Sequence, residues 1–250
     1  MEAVAVVLAA GAGKRMGGSA KASLLLPDGR TFLAAVAASA QAGGCRRVVV
    51  VVGRPHANEV RTAALAVGVT EIIENPDPDR GMASSLAVAL DRMDPHAVDV
   101  ALAWPVDHAL VQAGTVAAIL RAAGRDLIVV PTSAGGRGGH PTAFGASLWP
   151  ELRNAAALPD GARAVVRADP ARVIRVAVSD PGAFFDIDTP SDLGEIWTGD
   201  PIGHRPTSDF CRRNLAIFDH LFGLLREDDP EVMDTFWSWV THRDLNEVRV

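Results

Sequence analysis

At 250 residues the chain suits one large α/β domain with a small appendage. It is 48% hydrophobic and 22% charged, and 24 Lys and Arg against 30 Asp and Glu leave a formal charge of −6, which argues against nucleic acid as a bulk partner. No apolar run approaches a membrane span, MEAVAVVLAA does not read as a signal peptide, and Cys45 and Cys211 match no metal spacing, so a cytoplasmic protein with reduced thiols and no membrane partner is expected.

Short apolar runs alternate with helical patterns. AVAVVLA (3–9), RVVVVVG (47–53), TEIIE (70–74), DVALAW (99–104) and DLIVVP (126–131) read as strands buried on both faces. Segments 31–44, 56–68, 84–93 and 113–124 read as helices. The alternation predicts an α/β fold of Rossmann-like type, a mostly parallel sheet with helices on both faces and ligands at the carboxyl ends of the strands. A glycine-rich loop follows over 132–142, then a helical pattern within 161–169 and two strand-like runs, RVIRVAV and AFFDI. TPSDLGEIW (189–197) reads as a helix with Thr189 as cap, Pro190 at its first position and Asp192 in its first turn. A linker over 198–209 divides residues 1–199 from a 200–250 extension of two helices, whose Phe and Trp residues suit packing on the main domain or a partner.

The turn after the first run, VVLAAGAGKRMGGSAK, fits neither familiar nucleotide pattern. A G-x-G-x-x-G turn needs a third glycine where Met16 stands, and a P-loop needs Lys where Ser19 stands. A glycine turn still presents backbone N–H groups to an anion, and Arg15 and Lys21 add full charges. A nucleoside triphosphate that loses pyrophosphate builds up charge that needs cations, so the stretch favours triphosphate chemistry over hydride transfer. A plain turn with solvated Lys and Arg is the alternative.

Asp107, in ALAWPVDHALV, follows a buried strand and stands where a carboxylate could hold Mg²⁺; a surface turn residue is the other reading. Asp186 and Asp188 in FFDIDTP share one face of an extended segment, with helix capping as the competing role. Mg²⁺ takes one or two carboxylates and completes its octahedron with phosphate and water, a requirement that Asp107 and Asp188 meet. HExxH, paired CxxC and G-x-S-x-G patterns are absent, against a zinc site or an acyl-transfer serine.

LAAGAGKRMG…K, NPDPDRGMASSL, PVDHALV, GRGGHPTAF, DGARAVVR and DIDTPSDL stand in the order seen in MobA-like nucleotidyltransferases, and over residues 3–197 the chain most resembles their molybdenum cofactor cytidylyltransferase group. The resemblance implies an Mg²⁺-dependent transfer of CMP from CTP to a phosphorylated acceptor, molybdopterin or the molybdenum cofactor, with a molybdoenzyme or its chaperone as a candidate partner. It assigns the backbone of Leu8, Ala9, Ala10, Gly11 and Gly13 to base and ribose, Arg15 and Lys21 to the phosphates, Gly81 and Ser85 to the base, Asp107 and Asp188 to the metal, and His140 to the acceptor. Ser85 could instead cap the helix that follows, and His140 could serve only to shape its loop. Val106 and Ala109 stand where the family has Gly and Pro, which leaves the acceptor open. Ala10 stands where guanylyl-transferring relatives resemble LAGG, and a methyl group in the path of the base would favour CTP over GTP. Two alternatives remain: a sugar phosphate or other small phosphorylated acceptor, and a non-catalytic nucleotide-binding regulatory or chaperone-like protein.

Overall fold

A computed structural model describes residues 1–189 together with Asp192, Leu193 and Ile196. Seven strands form one sheet in the order β3-β2-β1-β4-β6-β5-β7. They are β1 (Ala3–Leu8), β2 (Arg47–Gly53), β3 (Glu71–Asn75), β4 (Val100–Pro105), β5 (Ile128–Thr132), β6 (Thr142–Gly145) and β7 (Val173–Ala177). All neighbours are parallel except β6, which runs antiparallel to both β4 and β5. The helices are α1 (Phe32–Ala42), α2 (Ala57–Ala66), α3 (Met82–Asp91), α4 (Ala113–Ala122), α5 (Trp149–Ala155) and α6 (Ala162–Ala168).

In the central strands burial on both faces follows from the alternation within each strand. The edge strands β3 and β7 are only partly buried, so TEIIE, expected to be buried on both faces, is an edge strand with one neighbour. In β1, Ala3, Ala5 and Val7 join a core layer with Phe32, Val36 and Ile119, whereas Val4, Val6 and Leu8 join one with Leu86, Leu90 and Trp149. Thr31 caps α1 by accepting from the Ala34 N–H at 3.0 Å, a contribution of about 1 kcal/mol. From β1 the chain moves outward through β2 and β3, then crosses back to place β4 on the other side of β1. The gap between the ends of β1 and β4 is therefore a topological switch point, where sheets of this kind bind ligands.

The expected strands and helices occur with end shifts of a few residues, but three segments differ. AFFDI is not a strand: Pro181–Ala183 form a 3₁₀ turn, and the following residues run outside any sheet. Two elements come from sequence read as loop or left unread. β6 is only four residues long and follows a glycine-rich loop, too short for periodicity to show. α5 carries Pro150 in its first turn with Glu151 beside it, a start signal present in the sequence. The helix expected over 189–197 falls only partly within the described residues, of which Asp192, Leu193 and Ile196 are helical; the extension over 200–250 lies outside them. No helix among the described residues is long and apolar enough to cross a membrane.

The glycine turn owes its shape to Met16 as much as to its glycines. Met16 is fully buried, and its backbone N–H donates to the Gly13 carbonyl at 2.8 Å, as does that of Gly18 at 3.0 Å. An apolar anchor thus occupies the place a third glycine would take. Gly13 has φ +60°, and a Cβ there would lie 1.9 Å from the Ser19 carbonyl oxygen; at Gly11 a Cβ would meet nothing within 4 Å. Gly13→Ala is expected to lose roughly 1–3 kcal/mol of stability and to unseat the turn, measurable as a lower denaturation midpoint. Gly11→Ala should leave the midpoint within about 0.5 kcal/mol of the parent, because its methyl enters open space.

Candidate functional site

The turn 9–15 and the carboxyl end of β4 enclose a cavity of about 420 Å³. Leu8, Ala9, Gly11, Ala12, Gly13, Lys14, Arg15 and Lys21 form one wall; Val106, Asp107 and Asp188 form the other, with Pro78 and Asp79 at the edge. Asp107 and Asp188 are brought together by backbone: the Ile187 N–H donates to the Asp107 carbonyl at 3.1 Å, and the Ile187 side chain is fully buried. The Asp188 N–H then donates to the Asp192 carboxylate at 3.0 Å, which also accepts from the Thr189 N–H at 2.7 Å and its hydroxyl at 2.9 Å. Thr189 Oγ accepts in return from the Asp192 N–H at 3.3 Å, a reciprocal cap that fixes where Asp188 points. Asp186 is exposed and lines neither this cavity nor its neighbour.

Lys21 lies between the two carboxylates. Its Nζ donates to Asp107 Oδ2 at 2.9 Å and to Asp188 Oδ1, and Arg15 Nη1 pairs with Asp188 Oδ2 at 2.7 Å. The Lys21 side chain is 17% exposed, against 71% for Arg15, so Lys21 is the built-in counter-ion and Arg15 the one free to swing. Burial disfavours the Lys21 ammonium, yet the Asp107 and Asp188 carboxylates outweigh it and hold its pKa above the ordinary value. Burial likewise pushes Asp188 up, but the Lys21 hydrogen bond and charge, with help from Arg15, win and hold it low.

These contacts test whether a divalent cation fits. One positive charge already sits within reach of both carboxylates, so both can reach one small cation. Among the described residues no three His, Cys, Asp or Glu converge as a metal cluster. The donor set is therefore two carboxylates open to completion by phosphate and water, which suits a hard, oxygen-seeking ion.

A second cavity of about 320 Å³ adjoins the first at Leu8. Gly81, Met82, Leu86, Pro105, His140, Phe144 and Leu158 are among its walls. Gly81 and His140, assigned by sequence to base and acceptor, thus share one chamber. Ser85 lines neither. It is 4% exposed and accepts from Asn75 Nδ2 at 2.9 Å, as does Ser84, while the Ser84 hydroxyl donates to the Gly81 carbonyl at 2.7 Å. The serines hold the 75–81 loop against α3 instead of touching a ligand, a role for which the buried Asn75 was the overlooked partner. Ala10 also departs from expectation. A Cβ built on Gly53 would lie 2.9 Å from the Ala10 Cβ, so that methyl faces the end of β2 and takes no space in the first cavity. Only its backbone belongs to the turn, and the methyl-based case for CTP over GTP falls away.

The His140 and His108 rings lie tilted against each other at 53°, with centroids 4.7 Å apart. Burial, with His108 beside it, pushes His140 down to about 3, and burial also lowers His108. Burial pushes the Cys45 thiol up to about 12, so it is not a nucleophile at neutral pH. Asp180, unremarked in the sequence, is 6% exposed and accepts from the Gln112 N–H at 2.8 Å and the Thr115 hydroxyl at 2.7 Å, tying the 180s segment to the start of α4.

Residues 5–173 match the MobA-like NTP transferase domain. The chain belongs to that family. It is 35% identical over 192 residues to the nicotine blue oxidoreductase of Paenarthrobacter nicotinovorans, covering 74% of this chain and 91% of the relative. A nucleotidyl transferase from Methanothermobacter superposes with a TM-score of 0.66 at 25% identity, over 78% of this chain and 95% of that one. A Mycobacterium tuberculosis protein solved in complex with manganese does so with a TM-score of 0.60 at 26% identity, over 78% and 98%. The mixed seven-stranded sheet and the switch-point cavity of this MobA-like chain are thus the architecture of a nucleotidyltransferase family.

Two measurements check the site. Lys21→Met leaves Asp107 and Asp188 facing each other without their shared cation, so the variant should melt lower than the parent. Millimolar Mg²⁺ or Mn²⁺ should then raise its melting temperature more than the parent's; an equal shift would mean the carboxylates do not share a cation. The second is a pH dependence. An unfolded imidazole titrates near its ordinary 6.5, whereas folded His140 titrates at about 3, so protons bind the unfolded chain first as pH falls below 6.5. Stability from His140 is therefore fully present above pH 6.5 and drains away toward pH 3, by up to about 1.4 kcal/mol per pH unit. Denaturant titrations across that range should show a shallower slope in His140→Phe.

Proposed function

We propose that this MobA-like protein transfers a nucleoside monophosphate, CMP from CTP, to a phosphorylated acceptor of the molybdopterin or molybdenum cofactor type, releasing pyrophosphate with Mg²⁺ as the metal. The observation that carries it is the joining of two carboxylates and two cations, Asp107, Asp188, Lys21 and Arg15, at the mouth of a glycine turn. An acceptor phosphate oxygen attacks the α-phosphorus in line; the new P–O bond forms as the bond to the β-phosphate breaks, and pyrophosphate leaves with both electrons of that bond. That oxygen is already ionised at neutral pH, so no general base is required. The backbone of the glycine turn, with the N–H groups of 11–13 facing the cavity, orients the nucleotide beside Arg15 and Lys21. Lys21 and Arg15, moving from the carboxylates to the triphosphate, take up the charge that grows on the leaving group. Asp107 and Asp188 hold the metal, which bound there supplies Lewis acidity at the phosphate oxygens. The manganese complex of the mycobacterial relative supports a divalent ion in such a site. The preference for CTP rests on the cytidylyltransferase-like motifs. All of these groups lie within residues 1–199, which leaves the 200–250 extension to a molybdoenzyme or its chaperone.

The relative named as an oxidoreductase supports a second reading, reduction of a bound organic molecule by a nicotinamide cofactor. Two cations and two carboxylates at the turn favour the first, because a dinucleotide pyrophosphate needs no acidic pair beside it. Pyrophosphate release across the four NTPs, with molybdopterin and sugar phosphates as acceptors, tests the transfer; NADH or NADPH oxidation without pyrophosphate would establish the second reading in its place.

Asp107→Ala and Asp188→Ala should each cut turnover by at least a hundredfold, several kcal/mol of transition-state stabilisation, whereas Asp186→Ala should stay within a few fold. Arg15→Ala should lower kcat more than it raises KM for the nucleotide, and Arg15→Lys should restore only part of the loss. A change confined to KM would make Arg15 a ground-state clamp.

A further inference from the structure

We infer that His56 is a positioning residue for the nucleotide site, holding the Ala12 carbonyl away from the first cavity so that the Gly13 N–H is turned into it. The assignment rests on the reading that this cavity holds a nucleotide. The turn is supported from β2. Leu8 lies opposite Val51 in the parallel register, and the Ala9 N–H donates to the Val51 carbonyl at 2.9 Å. Gly53 ends β2 so close to the turn that a Cβ there would lie 3.2 Å from the Ala10 carbonyl oxygen. Three residues on, His56 reaches the far end of the same turn, with its Nε2 3.3 Å from the Ala12 carbonyl oxygen. Its side chain is 15% exposed and lines neither cavity, so it acts on the turn from behind.

A carbonyl oxygen only accepts, so Nε2 carries a proton and donates it. Glu59 Oε2 stands 3.6 Å from Nδ1, outside hydrogen-bond range, and leaves that donor in place. The C=O and N–H of one trans peptide point in opposite directions. Holding the Ala12 oxygen on His56 therefore fixes the Gly13 N–H on the cavity side; a flipped peptide would set an oxygen there against the polyanion. Glycine at position 13 makes such a flip easy, so the peptide needs a hold. Among the described residues the Ala12 carbonyl accepts from no backbone N–H, whereas the next carbonyl, that of Gly13, accepts from Met16 and Gly18. His56 also precedes the first residue of α2 and gives that helix no side-chain cap, a stabilising contact that Ser, Thr, Asp or Asn would supply. The ring serves the turn instead of its own helix.

The test uses the full chain and compares the parent with His56→Leu, which keeps bulk without a donor, and His56→Gln, whose amide N–H can still reach Ala12. Calorimetry reads the binding of CTP and of GTP, each with Mg²⁺, and NMR reads the ¹³C shift of the Ala12 carbonyl without ligand. His56→Leu should weaken the better-bound nucleotide at least tenfold and move the Ala12 resonance. His56→Gln should keep affinity within about threefold of the parent and the resonance near its place. Parent-like affinity in His56→Leu, an unmoved Ala12 resonance in that variant, or a loss in His56→Gln equal to that in His56→Leu would overturn the assignment. A parent that binds neither nucleotide overturns the reading on which the assignment rests, whereas a parent that binds no better than His56→Leu overturns the assignment alone.

Discussion

Asp107 and Asp188 are forced to share one edge of the sheet, and like charges at close quarters in a half-buried site need a cation. Lys21 meets that need. The rest of the site follows from the placement: Met16 anchors the turn that delivers Lys21, the Asp107 carbonyl receives the Ile187 N–H that delivers Asp188, and the Thr189–Asp192 cap holds Asp188 still. In the proposed reaction the same ammonium is the group that must leave when metal and triphosphate arrive. The resting protein thus carries its charge balance internally, and binding exchanges one set of ion pairs for another without exposing unpaired carboxylates.

Much of this was legible in the sequence because it rests on local pattern. The parallel strands announced themselves as unbroken valine-rich runs, and the turn as a cluster of glycines followed by Arg15 and Lys21. Asp107 could be placed because it directly follows a buried strand. The misreadings share one cause, which is that direction and partnership across the fold are not written in spacing. Ala10 was assigned to the turn correctly, but its methyl faces Gly53, a contact set by the register of β1 against β2. Ser85 sits at a helix start as expected, yet its hydroxyl is taken by Asn75 from the neighbouring strand end. AFFDI has strand composition, but a 3₁₀ turn at Pro181–Ala183 leads into it and its Ile187 N–H pairs with the Asp107 carbonyl of a loop instead of a strand, a partner that spacing does not reveal.

Family membership and chemistry are different levels of conclusion. A relative at 35% identity carries the name of an oxidoreductase, while structures at 25–26% include one named as a nucleotidyl transferase and one solved with manganese. One fold can host different chemistries. What distinguishes chemistry is the charge set at the switch-point cleft and the walls beside it, and here those are a paired-carboxylate, paired-cation cluster next to an apolar chamber.

The reversed strand β6 has a consequence of its own. In a wholly parallel sheet each strand delivers one connection to the ligand-binding end and returns by a helix on the far side. Because β6 enters at that end and pairs back on β5, with Val129 opposite Ala143, the whole link from 133 to 141 stays on the binding side. That link carries His140, whose backbone N–H donates to the Ala183 carbonyl at 2.8 Å and whose ring lies against His108, the residue after Asp107. A change in this hairpin tip is therefore felt in the segment that delivers Asp188 and beside Asp107, so the reversed strand couples the two cavities instead of separating them.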